Sequence, residues 1–205
     1  MTRTPNTLIA VLIATLLLGS VAAQRSATLS GVIDAADPLP DATRVGVQVV
    51  DADGAWTREI GTAVPVAGSF QVELGEVPDE ALRPFRSGSV LLPGLQNEYR
   101  VEPEGVRFAQ GVMAMYLDSD GSGSWTRAPE RDPHFLALSQ LERPIGFFTL
   151  LYVDAPVVLT ATAAELRLEA GWNVFTVRFP DSGPDYAVHA EVDDVALEVL
   201  DLVPR

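Results

Sequence analysis

The sequence predicts an all-β protein, a mostly antiparallel β-sandwich behind an N-terminal signal-peptide helix. Three observations lead there. From residue 27 onward, short apolar stretches are separated by Gly, Pro, Asp and Asn at intervals of about ten residues, the spacing of strands and turns in a sandwich or barrel. Within them apolar and polar residues alternate, most cleanly in Ser69-Phe70-Gln71-Val72-Glu73-Leu74, which sends every second side chain to a core. The chain opens differently, with one apolar run of helical composition.

That run has the anatomy of a secretory signal. Arg3 supplies positive charge, residues 8–18 are almost unbroken apolar, and Val21-Ala22-Ala23 puts small residues ahead of Gln24. A bilayer span needs roughly 20 apolar residues, and Gly19 and Ser20 cut this one short. Removal of residues 1–23 leaves 24–205 as a single domain of 182 residues, enough to bury a core. The expected destination is the cell envelope, the periplasm or the extracellular space, with no membrane span after cleavage. The chain has no cysteine, so neither a lipid anchor at the cleavage point nor disulfides are expected.

Charge narrows the partners. Against 28 acidic residues stand 14 basic ones, every one arginine, for a net charge of −14. Nucleic acid and anionic membrane both need a basic surface, which leaves a protein or a glycan as the expected partner.

In chain order, residues 28–33 read as a strand ended by the turn cluster 34–40. Val45, Val47 and Val49 then alternate with Gly46 and Gln48, and Asp53-Gly54 is a hairpin signal leading into residues 56–60. After the alternation at 69–74, residues 76–86 hold two prolines and three acids; they read as a crossing loop, or else as a subdivision near 76–87. Residues 90–103 are ambiguous. Residues 112–117 read as a strand, 128–144 as a polar, proline-bounded stretch with one helical turn at 135–141, and 147–153 as a continuously apolar strand covered on both faces. Strands are expected at 157–161, around Leu166 and Leu168, at 172–179, at 186–192 and at 195–200. The β-branched valines of the last segment weigh against a helix there.

The opening S-G-V-I with its proline-rich turn, then V-G-V-Q-V-V-D-A-D-G-A-W, then G-S-F-Q-V-E-L, resembles the transthyretin-like or carboxypeptidase-regulatory-like β-sandwich modules of exported bacterial proteins. The likeness covers residues 30–74. It implies a non-catalytic scaffold or adhesion role and transfers no functional residues.

The stretch 116–125, Y-L-D-S-D-G-S-G-S-W, is the best candidate site. Calcium takes six to eight oxygens, which a short loop supplies when carboxylates recur every second residue and glycine permits the turn. Asp118, Asp120 and Ser122 offer side-chain oxygens, Gly123 the turn, and Ser124 a backbone carbonyl. The loop resembles the D-x-D-G-x-G calcium loops of EF-hands and of β-rich secreted bacterial proteins. It departs from them at the closing acid, where Pro129 stands and Glu130 follows one residue late, with Asp132 the other acid in reach. The same word occurs earlier as Asp51-Ala52-Asp53-Gly54 before Trp56-Thr57-Arg58; with the third ligand and second glycine missing, that copy reads as a plain turn.

For hydrolysis the chain offers only His134 and His189, no thiol and no G-x-S-x-G elbow. Trp56, Trp125 and Trp172 each begin a predicted strand, where large aromatics usually plug cores and otherwise stack on sugars. The expectation is therefore an exported, non-catalytic interaction or structural module stiffened by calcium. A carbohydrate- or peptide-binding domain, using an end where both D-x-D-G turns gather, is the alternative, and a small secreted hydrolase the third reading.

Overall fold

The computed structural model describes residues 25–51, 55–95, 99–126, 135–142 and 144–202, so the signal segment and Glu130 lie outside the described residues. The first part of the chain forms β1 (Thr28–Asp34), β2 (Thr43–Val50), β3 (Trp56–Ala63) and β4 (Ser69–Glu73). A 3-10 turn at Asp79–Ala81 leads to β5 (Arg83–Pro84), β6 (Arg100–Glu102) and β7 (Arg107–Leu117). After these come β8 (Phe135–Glu142), β9 (Ile145–Val153), β10 (Val157–Thr160), β11 (Glu165–Leu168), β12 (Gly171–Arg178), β13 (Asp185–His189) and β14 (Glu191–Leu202).

The all-β class is as expected, but the pairings do not make two facing sheets of comparable size, as a sandwich would require. One 11-stranded sheet runs β3-β2-β7-β9-β8-β14-β1-β4, with β12 and β13 branching from β9 and β5 from β7. It curls until its ends meet, where the Gly75 amide donates to the Ile60 carbonyl at 2.7 Å. The pairing of β1 with β14 is parallel and joins the first strand to the last; among the described residues every other pairing between named strands is antiparallel. A separate three-stranded sheet, β11-β10-β6, covers one outer side.

Two hydrophobic cores result, and β9 and β12 wall both. Leu150, Trp172 and Val174 face the inside of the curled sheet with Val45, Val47 and Met115. Leu151, Val153, Phe175 and Val177 face the opposite way, against Tyr99 and Phe108 under the small sheet. This is why residues 147–153 carry no polar alternation: period-two patterning vanishes when both faces are buried. Phe147 itself emerges beyond the small sheet and is 48% exposed.

One expectation needs correction, and one open stretch is filled. Residues 135–141 form no helical turn but most of β8, because β14 offers a strand-long antiparallel partner from Leu202↔Phe135 to Val195↔Leu141 and such pairing overrides weak local preference. Among the described residues of the ambiguous stretch 90–103, Arg100–Glu102 alone is a strand. Tyr99 anchors the preceding loop: its buried hydroxyl donates to the Val90 carbonyl at 3.0 Å and accepts from the Val90 amide at 3.2 Å. Among the described residues no helix is long and apolar enough to cross a membrane.

Candidate functional site

The valines of β2 at 45, 47 and 49 point into the core, so by alternation Arg44, Gly46 and Gln48 point to the outer side. There they meet Tyr116 of β7, the Cα partner of Arg44, and Glu59 of β3, the partner of Gln48. Glu59 is the hub. Its Oε1 accepts from Gln48 Nε2 at 2.9 Å and from the Tyr116 hydroxyl at 2.8 Å, while Oε2 accepts the Trp125 amide at 3.0 Å. The Thr62 hydroxyl lies 3.3 Å from that of Tyr116. Gly46 is required by space: a Cβ there would collide with Glu59 Oε1 and sit 3.1 Å from Tyr116 Cε1.

Asp118 follows the end of β7, and its amide donates to the Ala42 carbonyl at 3.0 Å. Its carboxylate turns inward with a side chain only 2% exposed. Oδ2 accepts Arg44 Nη2 at 2.9 Å, Arg44 Nε at 3.2 Å and the Gly123 amide at 3.0 Å. Oδ1 is buried without a hydrogen-bond partner, as is Gln48 Oε1. The loop therefore has two fastenings, one at Asp118 to Arg44 and one at Trp125 to Glu59.

Between them the predicted ligands rise to the surface. Asp120, Ser122 and Ser124 are exposed. Asp120 Oδ1 accepts the Ser122 amide at 3.0 Å, and the Ser122 hydroxyl donates to the Ser124 carbonyl at 2.9 Å. Gly121 and Gly123 have φ of 68° and 78° with open space where a Cβ would stand, so conformation alone selects glycine there. Asp118 is thus buried while the other three are exposed, and a guanidinium occupies its Oδ2. Among the described residues no three His, Cys, Asp or Glu side chains converge as a metal group.

The two D-x-D-G words do not gather at one end. Thr43 pairs with Leu117 and Val50 with Gln110, so Asp51 and Asp118 flank opposite ends of β2, roughly 30 Å apart at the usual rise per residue. The tryptophans separate as well. Trp172 is a core plug, 1% exposed, whose Nε1 donates to the Gly75 carbonyl at 2.7 Å, whereas Trp125 is half-buried in the loop. His134 lies outside the described residues, and His189 Nε2 sits 3.1 Å from Thr176 Oγ1.

Sequence reasoning missed Arg44, Gln48, Glu59 and Tyr116. A signal was present in V-G-V-Q-V-V, where a glycine and a glutamine interrupt a valine strand and mark an outer face with polar company. Compared with known proteins, the chain matches no family model, no curated protein and no solved structure.

Proposed function

We propose that this chain is a non-catalytic structural or interaction module of the cell envelope or extracellular space, which presents the loop 118–125 on a rigid barrel wall. The observation that carries this reading is the commitment of the two carboxylates at the wall. Glu59 and Asp118 spend three of their four oxygens on Arg44, Gln48, Tyr116 and two loop amides, while the tip at Asp120 and Ser122 faces solvent. A catalytic acid must reach substrate; these reach their own loop. The test is turnover of ester, glycoside and peptide probes, and activity abolished by Glu59→Gln or Asp118→Asn would overturn the reading.

A second reading, calcium stiffening of the same loop, is favoured by one atom. Asp118 Oδ1 is a buried acceptor without a hydrogen-bond partner; Asp120, Ser122 and Ser124 would add their oxygens to it, and Glu130 would close the shell. Calcium would then share Asp118 with Arg44, which weakens the site by like-charge repulsion. Melting residues 24–205 in chelator and in calcium separates the two. Extracellular calcium modules bind at roughly 10⁻⁴–10⁻³ M, so about 10 mM calcium should add roughly 1.4–2.7 kcal/mol, a rise of about 3–11 °C. An unchanged melt leaves the loop to Arg44 and Glu59; a rise that magnesium does not reproduce assigns the site to calcium.

A further inference from the structure

Strand edges invite pairing unless a protein blunts them, and this chain blunts nearly all of its own. The ends of the curled sheet close on each other through Gly75 and Ile60. In the small sheet the outer strands carry exposed ion pairs, Glu165 with Arg167 on β11 and Arg100 with Glu102 on β6. Strand β5 is two residues long and ends in proline. Strand β13 differs. Among the described residues its one strand pairing is with β12, with β11 close by but unpaired, and its five residues, Asp185-Tyr186-Ala187-Val188-His189, contain no proline and no arginine in a chain without lysine.

We propose that β13 is a dimerisation strand, pairing antiparallel with β13 of a second copy about a twofold axis through Ala187. The sequence of β13 is self-complementary in that register. Tyr186 falls opposite Val188 of the second copy and Asp185 opposite His189, each pair occurring twice. The faces agree as well: Tyr186 and Val188 both pack on the second core, with the Tyr186 ring stacked 6.4 Å from Phe175, so pairing them continues one apolar face across the dimer. A slip of one residue would set that face against the side bearing Asp185, Ala187 and His189, which is why the register is specified. An isologous contact of this kind closes at two copies, and the open edge disappears. A carboxylate facing an imidazole at both ends is the hydrogen-bonding complementarity that selects a second copy over an unrelated extended peptide.

Sedimentation velocity on residues 24–205, up to about 500 µM because small interfaces are weak and in about 0.15 M salt to screen the net negative charge, should show a concentration-dependent dimer. Asp185→Arg alone sets a guanidinium against His189, and His189→Asp alone sets two carboxylates together; each should weaken self-association by roughly tenfold. An equimolar mixture of the two variants should associate again, since in the mixed pair both cross-strand contacts are complementary. Melting curves check that each variant folds. Independently of any variant, hydrogen exchange at the amides of 185–189 in the unaltered protein should slow as concentration rises. A monomer across the whole range, a dimer indifferent to both substitutions, a mixture no better than its components, or exchange that ignores concentration would each overturn the proposal.

Discussion

Asp51 and Asp118 head the same run of residue types at opposite ends of β2, and the molecule uses them differently. Asp51 is exposed; its carboxylate accepts the Ala55 amide at 2.9 Å, and its own amide donates to the Ala55 carbonyl at 3.0 Å, which closes a tight hairpin. Asp118 is buried and charge-paired, and the loop it opens returns to the sheet at Glu59. In the second word three residues, Ser122-Gly123-Ser124, stand before the tryptophan where the first has Ala55 alone, which makes it two residues longer. They give the second loop the reach to fold over the wall of Arg44, Gly46 and Gln48. The lesson is that an Asp-Gly turn signal fixes where the chain reverses, while the strand beside it decides whether the aspartate serves the turn or the tertiary structure.

The largest effect that could break this comparison is at Arg44. Arg44→Met leaves the Asp118 carboxylate, 2% exposed, without its counterion. Removing one partner of a buried pair costs about 3–5 kcal/mol. Arg44 itself is 24% exposed, which points to the lower end, about 3 kcal/mol, and a melting temperature lowered by roughly 6–12 °C. Asp51→Ala removes one exposed acceptor from one turn amide and should cost less than about 1 kcal/mol. Thermal melts of the two variants side by side decide it, and equal losses would mean that burial does not separate the two aspartates.

How much of this was legible beforehand depends on how local the cause is. The strand β4 could be read directly, because Phe70 and Val72 are buried while Ser69, Gln71 and Glu73 are exposed, a period-two pattern held within five residues. The strand β8 could not, since what makes residues 135–142 extended is β14, some sixty residues later in the chain. The curling of the sheet was equally hidden, because it rests on the parallel pairing of β1 with β14 and on Gly75 meeting Ile60. At the site the motif singled out Asp118 as a metal ligand. Its partner Arg44 lies 74 positions away, and no spacing rule connects them. Only the glycine and glutamine set among the valines of β2 hinted that the outer face was occupied.

Gly46→Ala sharpens the comparison from the wall's side. The new methyl would collide with a carboxylate oxygen that Gln48 and Tyr116 already hold in place. Overpacking of this kind costs about 1–3 kcal/mol, so a loss near 2 kcal/mol is expected, with Trp125 emission shifting to the red as the loop loosens. In a Glu59→Ala background the collision is gone and the same substitution should cost much less. That non-additivity is the mark of direct contact, and additive losses would place the strain elsewhere.

The smallest effect is one of pH, and the composition makes it unusually clean to read. With no lysine and no cysteine, the four tyrosines are the side chains that ordinarily titrate near pH 10. Burial pushes the Tyr116 hydroxyl well above the ordinary phenol range, and the hydrogen-bonded Glu59 carboxylate pushes it the same way. Burial raises Tyr99 and Tyr152 also. Above about pH 10 the unfolded chain sheds protons that these three groups keep in the fold, so their stabilisation is complete below that pH and is lost as pH rises. Each contributes a slope of up to about 1.4 kcal/mol per pH unit. Tyr116→Phe removes one of the three, so the slope of denaturant-derived stability between about pH 10 and 11 should shrink by up to roughly a third. At neutral pH the same substitution should cost only about 1 kcal/mol for the lost hydrogen bond. Asp51→Ala should leave the slope unchanged. A Tyr116→Phe slope equal to that of the unaltered protein would mean that the hydroxyl ionises freely in the fold, and that the wall of Glu59 and Gln48 is open to water rather than closed by the loop.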